Sequence, residues 1–262
     1  DTFNRYFNGK GTLMTQTQPA HRNVRPDLPE PEGSTPEAIQ KKSLYSFGGT
    51  CAILAGICYT LMGLTYFFDP TVRTRTHKDY WQALHKNPLP HILGHFFFGL
   101  GSLFTIGTLP AIAQLVRPAN EAWVRWTTSI AHIGYAALAL FSFRSVAIDR
   151  GRAKDYLEGD NATKVAVVHG GKYLDEYDPN GYLQCGGVGL WLMVVSVLAR
   201  RHNLLPKRLT QLGMLGAVLQ WTSMLGLMLN FEPFIAISAM GAVIVAPTFL
   251  IWLGTILRRK AA

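Results

Sequence analysis

HILGHFFFGLGSLFTIGTLPAIAQLV, residues 91–116, runs without a single Asp, Glu, Lys or Arg. The hydrocarbon core of a bilayer is about 30 Å thick, and an α-helix crosses it in roughly 20 apolar residues. In that medium the backbone N–H and C=O groups must be bonded within the segment, so the stretch reads as a membrane-spanning helix. Residues 44–68, 123–146, 182–199, 209–229 and 235–257 read the same way, and charged residues collect almost entirely between these stretches. The fold class that follows is all-α: a polytopic transmembrane bundle of six helices. An extended, Pro-rich tail at 1–43 precedes the bundle at 44–262, and a polar loop at about 147–181 caps it between helices three and four.

The formal net charge is +9. Such a balance could serve nucleic acid, but the positions of the charges argue otherwise. Lys41, Lys42, Arg200, Arg201, Lys207, Arg208, Arg258, Arg259 and Lys260 all stand at span ends. That is where anionic headgroups and the positive-inside rule place them. The expected partners are membrane lipids and other membrane-protein subunits, with no nucleic acid. Three cysteines make no disulfide framework, and Cys51 and Cys58 fall on one face of the first span.

Small residues mark where helices meet. Ala52-x-x-x-Gly56 and Ala242-x-x-x-Ala246 have the spacing that lets backbones approach closely, and Gly186, Gly187 and Gly189 thin the start of span four. Asn230-Phe-Glu-Pro233 is short enough to force spans five and six into an antiparallel hairpin. Asp178-Pro-Asn-Gly181 places Pro and Gly where a tight turn wants them. A calcium loop starting at Glu176 would need a carboxylate at Gly187, so the turn is preferred.

Histidine supplies the candidate chemistry. His91 and His95 lie one helical turn apart on a shared face, and His132 lies inside span three. An intramembrane ionisable residue is a functional hypothesis by default, and imidazole ligates haem, chlorophyll or metal ions. His91, His95 and His132 are therefore the candidate cofactor-binding residues, with haem or chlorophyll as the cofactor. At about 1.5 Å per residue, His95 and His132 differ in depth by roughly 10 Å, which disfavours one shared centre. The competing reading is that the first two bond at the headgroup level and His132 meets a carbonyl or hydroxyl in the bundle. Arg144 would snorkel or pair with an acid of the long loop, beside Asp149 and Arg150. No HExxH, GxSxG, Walker or CxxCH motif is present, so no catalytic residue and no metal site is assigned.

Asp178-Pro-Asn-Gly-Tyr182 leading into Gly187-Val-Gly-Leu-Trp191, then Asn203-Leu-Leu-Pro-Lys-Arg208 before Leu212-Gly213, and Pro247-Thr-Phe-Leu-Ile-Trp-Leu-Gly254 together resemble a family of six-span bacterial membrane proteins known as a domain of unknown function. The resemblance covers residues 178–257 and implies six helices with no assigned activity.

The leading expectation is a non-enzymatic accessory subunit of a larger membrane complex, held through its tail by the aromatic anchor Phe3, Tyr6 and Phe7. The runner-up is a haem- or chlorophyll-binding membrane subunit. A third reading is a small-molecule or lipid transporter with its substrate near Gln220, Trp221 and His132. A bacterial inner membrane is the expected location. Dense basic clusters at 200–208 and 258–260 put the N- and C-termini in the cytoplasm, against Arg73, Arg75, Lys78 and Lys86 outside. Asn203→Cys in intact cells should therefore resist a membrane-impermeant thiol reagent until the cells are opened. Prompt labelling of intact cells would invert the topology.

Overall fold

The computed structural model describes residues 35–175 and 178–262. They form helices α1 (Pro36–Phe68), α2 (His77–Lys86), α3 (Leu89–Val116), α4 (Glu121–Glu158), α5 (Asn161–Asp175), α6 (Val188–Arg201), α7 (Lys207–Leu229) and α8 (Glu232–Ala261). Six are long and apolar enough to cross a membrane: α1, α3, α4, α6 with the turn before it, α7 and α8. The all-α membrane bundle read from the sequence is thus the observed fold. The aromatic end of the tail, Phe3, Tyr6 and Phe7, lies outside the described residues. Helix α1 begins inside the segment assigned to the tail, because Thr35 accepts a hydrogen bond from the Ala38 N–H and Pro36 supplies a preset first turn.

The spans close into a ring. Helix α1 packs on α3 and α8, α3 on α4, α4 on α6, α6 on α7, and α7 on α8. Large side chains fill the interior, among them Trp191, Leu109, Ile112, Leu253 and Leu257, each at most 1% exposed. Buried polar groups are satisfied locally. The hydroxyls of Ser102, Thr105 and Thr108 donate to carbonyls one turn back on α3. The Tyr59 hydroxyl of α1 lies 3.4 Å from both Ser102 and Thr105 oxygens, joining the two helices inside the bundle.

Two departures from the expected outline shape one end of the ring. The polar segment after span three is helical. Helix α4 has 38 residues, about 57 Å at 1.5 Å per residue, nearly twice the core of about 30 Å. Its last turns therefore stand clear of the hydrocarbon. Helix α5 follows, started by Asp160, whose carboxylate accepts from the Thr163 N–H at 2.8 Å. Helix α2, with Thr76 accepting from the Asp79 N–H, lies against the same extension. Trp81, Leu84 and Ala153 are buried there, with Tyr80, Tyr156 and Val167 packed around them. This small second core is the cap.

The turn at 178–181 forms as read. The Gly181 N–H donates to the Asp178 carbonyl at 2.9 Å, and Gly181 takes φ +68°, a conformation costly for other residues. The Asp178 carboxylate then accepts from the N–H groups of Leu183 and Gln184, opening a π-helical turn (Tyr182–Gly187) that feeds α6.

Gly56 is buried where α1 crosses α8. A Cβ there would lie 2.5 Å from Ile251 Cγ1 and 3.0 Å from the Pro247 carbonyl oxygen. Gly56→Leu should therefore destabilise the bundle by about 1–3 kcal/mol through overpacking, read as a lower melting temperature in detergent. An unchanged melt would show that α1 and α8 separate freely at this level.

Candidate functional site at the capped end

Where α1 ends, α3 begins and α4 leaves the bundle, four charged side chains come together. Asp69 caps α1 and opens a 3-10 turn (Pro70–Arg73), with its Oδ1 accepting from the Thr71 N–H at 2.8 Å and the Thr71 hydroxyl at 2.7 Å. Its Oδ2 lies 3.2 Å from His91 Nδ1. The other ring nitrogen, Nε2, lies 3.4 Å from Asp149 Oδ2 on α4. One turn further along α4, Arg152 donates to Asp149 Oδ1 at 3.3 Å and to the Val167 carbonyl of α5 at 2.7 Å. Its guanidinium sits over the Trp81 ring, 4.9 Å from the centroid, in a cation–π contact. Asp69, His91 and Asp149 are all buried.

Imidazole satisfies two carboxylate acceptors at once only when both nitrogens carry protons. Two carboxylates then face one imidazolium and one guanidinium, and the formal charges cancel. Burial alone would raise the Asp69 carboxyl, but the hydrogen bonds from His91 and Thr71 outweigh it and hold the group below its ordinary 3.8. Burial, with the Asp149 and Asp69 carboxylates nearby, pushes the Tyr80 phenol well above its usual range, so it stays a donor.

Two cavities flank the cluster. The first, about 290 Å³, lies between α1, α2 and α3, with Asp69 and His91 in its wall beside Met62 and Phe98. The second, about 270 Å³, lies toward α4 and α5, with Asp149, Arg152 and Arg144 in its wall. Tyr80 and His95 line both.

The three histidines singled out from the sequence occupy different situations. His91 and His95 are together, ring centroids 4.5 Å apart. Both His91 ring nitrogens face carboxylates. His95 Nδ1 is buried without a hydrogen-bond partner among the described residues. His132 stands apart: its Nδ1 lies 2.8 Å from the Thr128 carbonyl of its own helix, and it lines neither cavity. Trp221 donates to the Gly186 carbonyl at 3.2 Å, tying α7 to the π-helical turn. Among the described residues no group of three His, Cys, Asp or Glu side chains is arranged to hold a metal ion.

Asp69, Tyr80 and Arg152 were not singled out by sequence reasoning. Asp69-Pro-Thr71 directly after a span is a capping pattern, and Asp149 with Arg152 is an i, i+3 pair. Both signals were legible as local structure, but neither says that His91 lies between them.

Asp149→Asn removes the charge that faces both cations. Leaving His91 and Arg152 with Asp69 as their one remaining carboxylate should destabilise the fold by about 3–5 kcal/mol, measured as a large fall in melting temperature. A melt like that of the intact protein would mean water replaces the carboxylate. Acid should act on Asp69. A carboxyl held low in the folded state stabilises above its ordinary value, and the contribution is lost as pH falls through the lowered one. Below about pH 4, amide protection in α2, relative to the intrinsic exchange rate at each pH, should therefore fall, and Asp69→Asn should weaken that dependence.

No curated protein and no solved structure gives a significant match to the chain. One family model does match, over residues 49–256, reaching from the first span to the last and well beyond the C-terminal motifs that suggested it. The chain belongs to the family described as Domain of unknown function (DUF4386).

Proposed function

We propose that this integral membrane protein is a non-enzymatic, ligand-binding accessory subunit of a larger membrane assembly, working at its capped end. The observation that supports the reading is the balanced cluster of Asp69, His91, Asp149 and Arg152 set between two cavities. A buried ion network is a poor device for stability alone, because hydrophobic side chains of similar volume hold a fold equally well. It is a good device for presenting fixed polar groups to a molecule that enters from the membrane. The cavities fall just below the usual size range for small-molecule pockets, which suits the head of a ligand.

The assembly part of the reading rests on the tail and on unequal cover. The apolar windows of α7 and α8 bury 17% and 24% of their residues, against 39–44% in the other four spans. That hairpin offers the most surface to a neighbouring transmembrane helix. In this reading both termini face the cytoplasm of a bacterium, and the tail read at 1–43 docks on a partner subunit.

The test is native mass spectrometry of protein extracted gently from its own membrane. The intact chain should carry a small molecule that Asp69→Asn and Asp149→Asn lose, and deletion of residues 1–34 should shed copurifying polypeptides while leaving the small molecule bound. A chain that carries nothing, or variants that carry as much as the original, would end the ligand reading. Undiminished copurification after the deletion would end the docking role of the arm.

A further inference from the structure

We infer that the cavity between α1, α2 and α3 receives the ring of an uncharged, membrane-soluble carbonyl compound of the quinone class, hydrogen-bonded by His95 and Tyr80. This rests on the ligand-binding reading above and names the ligand.

Charge is decided by the wall. The ionisable pair there, Asp69 and His91, is already matched within the cluster. A charged head would have to break that pairing or enter without a counter-charge, and either is expensive away from water. The ligand is therefore neutral.

Polarity is decided by what remains unpaired. His95 lines the cavity and has a buried ring nitrogen with no partner among the described residues. Buried polar atoms are nearly always bonded, so an orphan beside a cavity points to a missing partner. Tyr80 lines the same wall, and its hydroxyl is the second donor of the proposed site. A neutral imidazole has one N–H and one lone pair; with the proton on Nδ1, His95 donates, as a phenol O–H does. The complementary head is an acceptor, which a carbonyl is.

Shape is decided by the remaining wall. Tyr66, Tyr80 and Phe98 present aromatic rings, and Met62 and Val72 complete an apolar surface. Aromatic walls favour a flat ring, edge-on or offset-stacked. About 290 Å³ is room for one substituted ring rather than a whole lipid. The tail must then leave the cavity. Tyr66 lines the cavity and is itself 48% exposed, and Phe67 and Phe68, next in the chain, are exposed too. The entrance of the proposed site lies there, so that the ligand arrives dissolved in lipid.

The experiment uses the full chain in nanodiscs of defined phospholipid, titrated with a decyl-substituted para-benzoquinone. Binding is followed by the shift in melting temperature and by photolabelling with an azido derivative. The intact chain should bind saturably and take the label on α1 or α3. His95→Phe should weaken binding at least tenfold and Tyr80→Phe several-fold, while His132→Phe leaves it unchanged. His95→Gln, which keeps a donor, should recover part of the affinity; unliganded melts of each variant establish that it is folded. Equal affinity in the folded His95→Phe protein, or no saturable binding by the intact chain, overturns the inference. If the quinone fails while another molecule copurifies and is lost with Asp149→Asn, the ligand class is wrong and the ligand-binding reading stands. If nothing copurifies and the quinone does not bind, both fall.

Discussion

One imidazole holding two carboxylates organises the capped end. His91 reaches Asp69 at the end of α1 and Asp149 on the extension of α4, so three helices that enter and leave the membrane at this end are tied through a single ring. Removing these groups from water costs several kcal/mol per ion, and their mutual attraction offsets it only when every lone pair and proton has a partner. The additional partners are present. Thr71 satisfies the second oxygen of Asp69 with both its N–H and its hydroxyl, and Arg152 takes the second oxygen of Asp149. Remove one and the others are left as buried, unmatched charges, so the cluster acts as a unit.

The ring of spans has a different logic. In lipid no hydrophobic force distinguishes helix–helix from helix–lipid contact, so close packing has to hold the helices together. Gly56 against Ile251 and Pro247 shows how: the absent side chain lets α1 and α8 approach until their other side chains interlock. The cap has no such lipid seal. Its own core is a handful of residues around Trp81 and Leu84, too little to hold α2 and α5 by apolar burial alone. Arg152 supplies the remainder, its guanidinium stacked on Trp81 while its hydrogen bonds reach Asp149 and the α5 backbone. The cap and the charge cluster therefore stand or fall together, and this end of the molecule is where local opening is expected.

The six spans were legible because the bilayer imposes a length and a composition that no other element meets. The turn at Asp178 was legible because Pro and Gly punctuate locally. The extension of α4 was not. Once the helix leaves hydrocarbon, 147–158 reads as ordinary polar sequence, and its helicity is secured by tertiary contacts with α2 and α5. The site was half legible. His91 and His95 stood out as ionisable residues on one face of a span. The partners of His91 lie 22 and 58 residues away in the chain. No local pattern encodes such a distance; only the order of helices around the ring brings them together.

That order also explains why two histidines one turn apart have opposite fates. Both lie on the face of α3 that turns toward the cap, and their rings touch. His91 is level with the end of α1 and the polar turns of α4, and both its nitrogens are taken up. His95 is one turn deeper, about 6 Å further along the axis, where it meets the Phe141 ring and shares cavity walls with Phe98, Tyr80, Asp69 and Asp149. Both carboxylates are already bonded to His91, Thr71 and Arg152. Gly94, beside it on α3, has no side chain to occupy the space; a Cβ there would come 2.9 Å from the Thr65 hydroxyl of α1. The cavity is thus a consequence of depth. The carboxylates nearby are taken up by His91, Thr71 and Arg152, and one turn below, His95 Nδ1 is left without a hydrogen bond among the described residues.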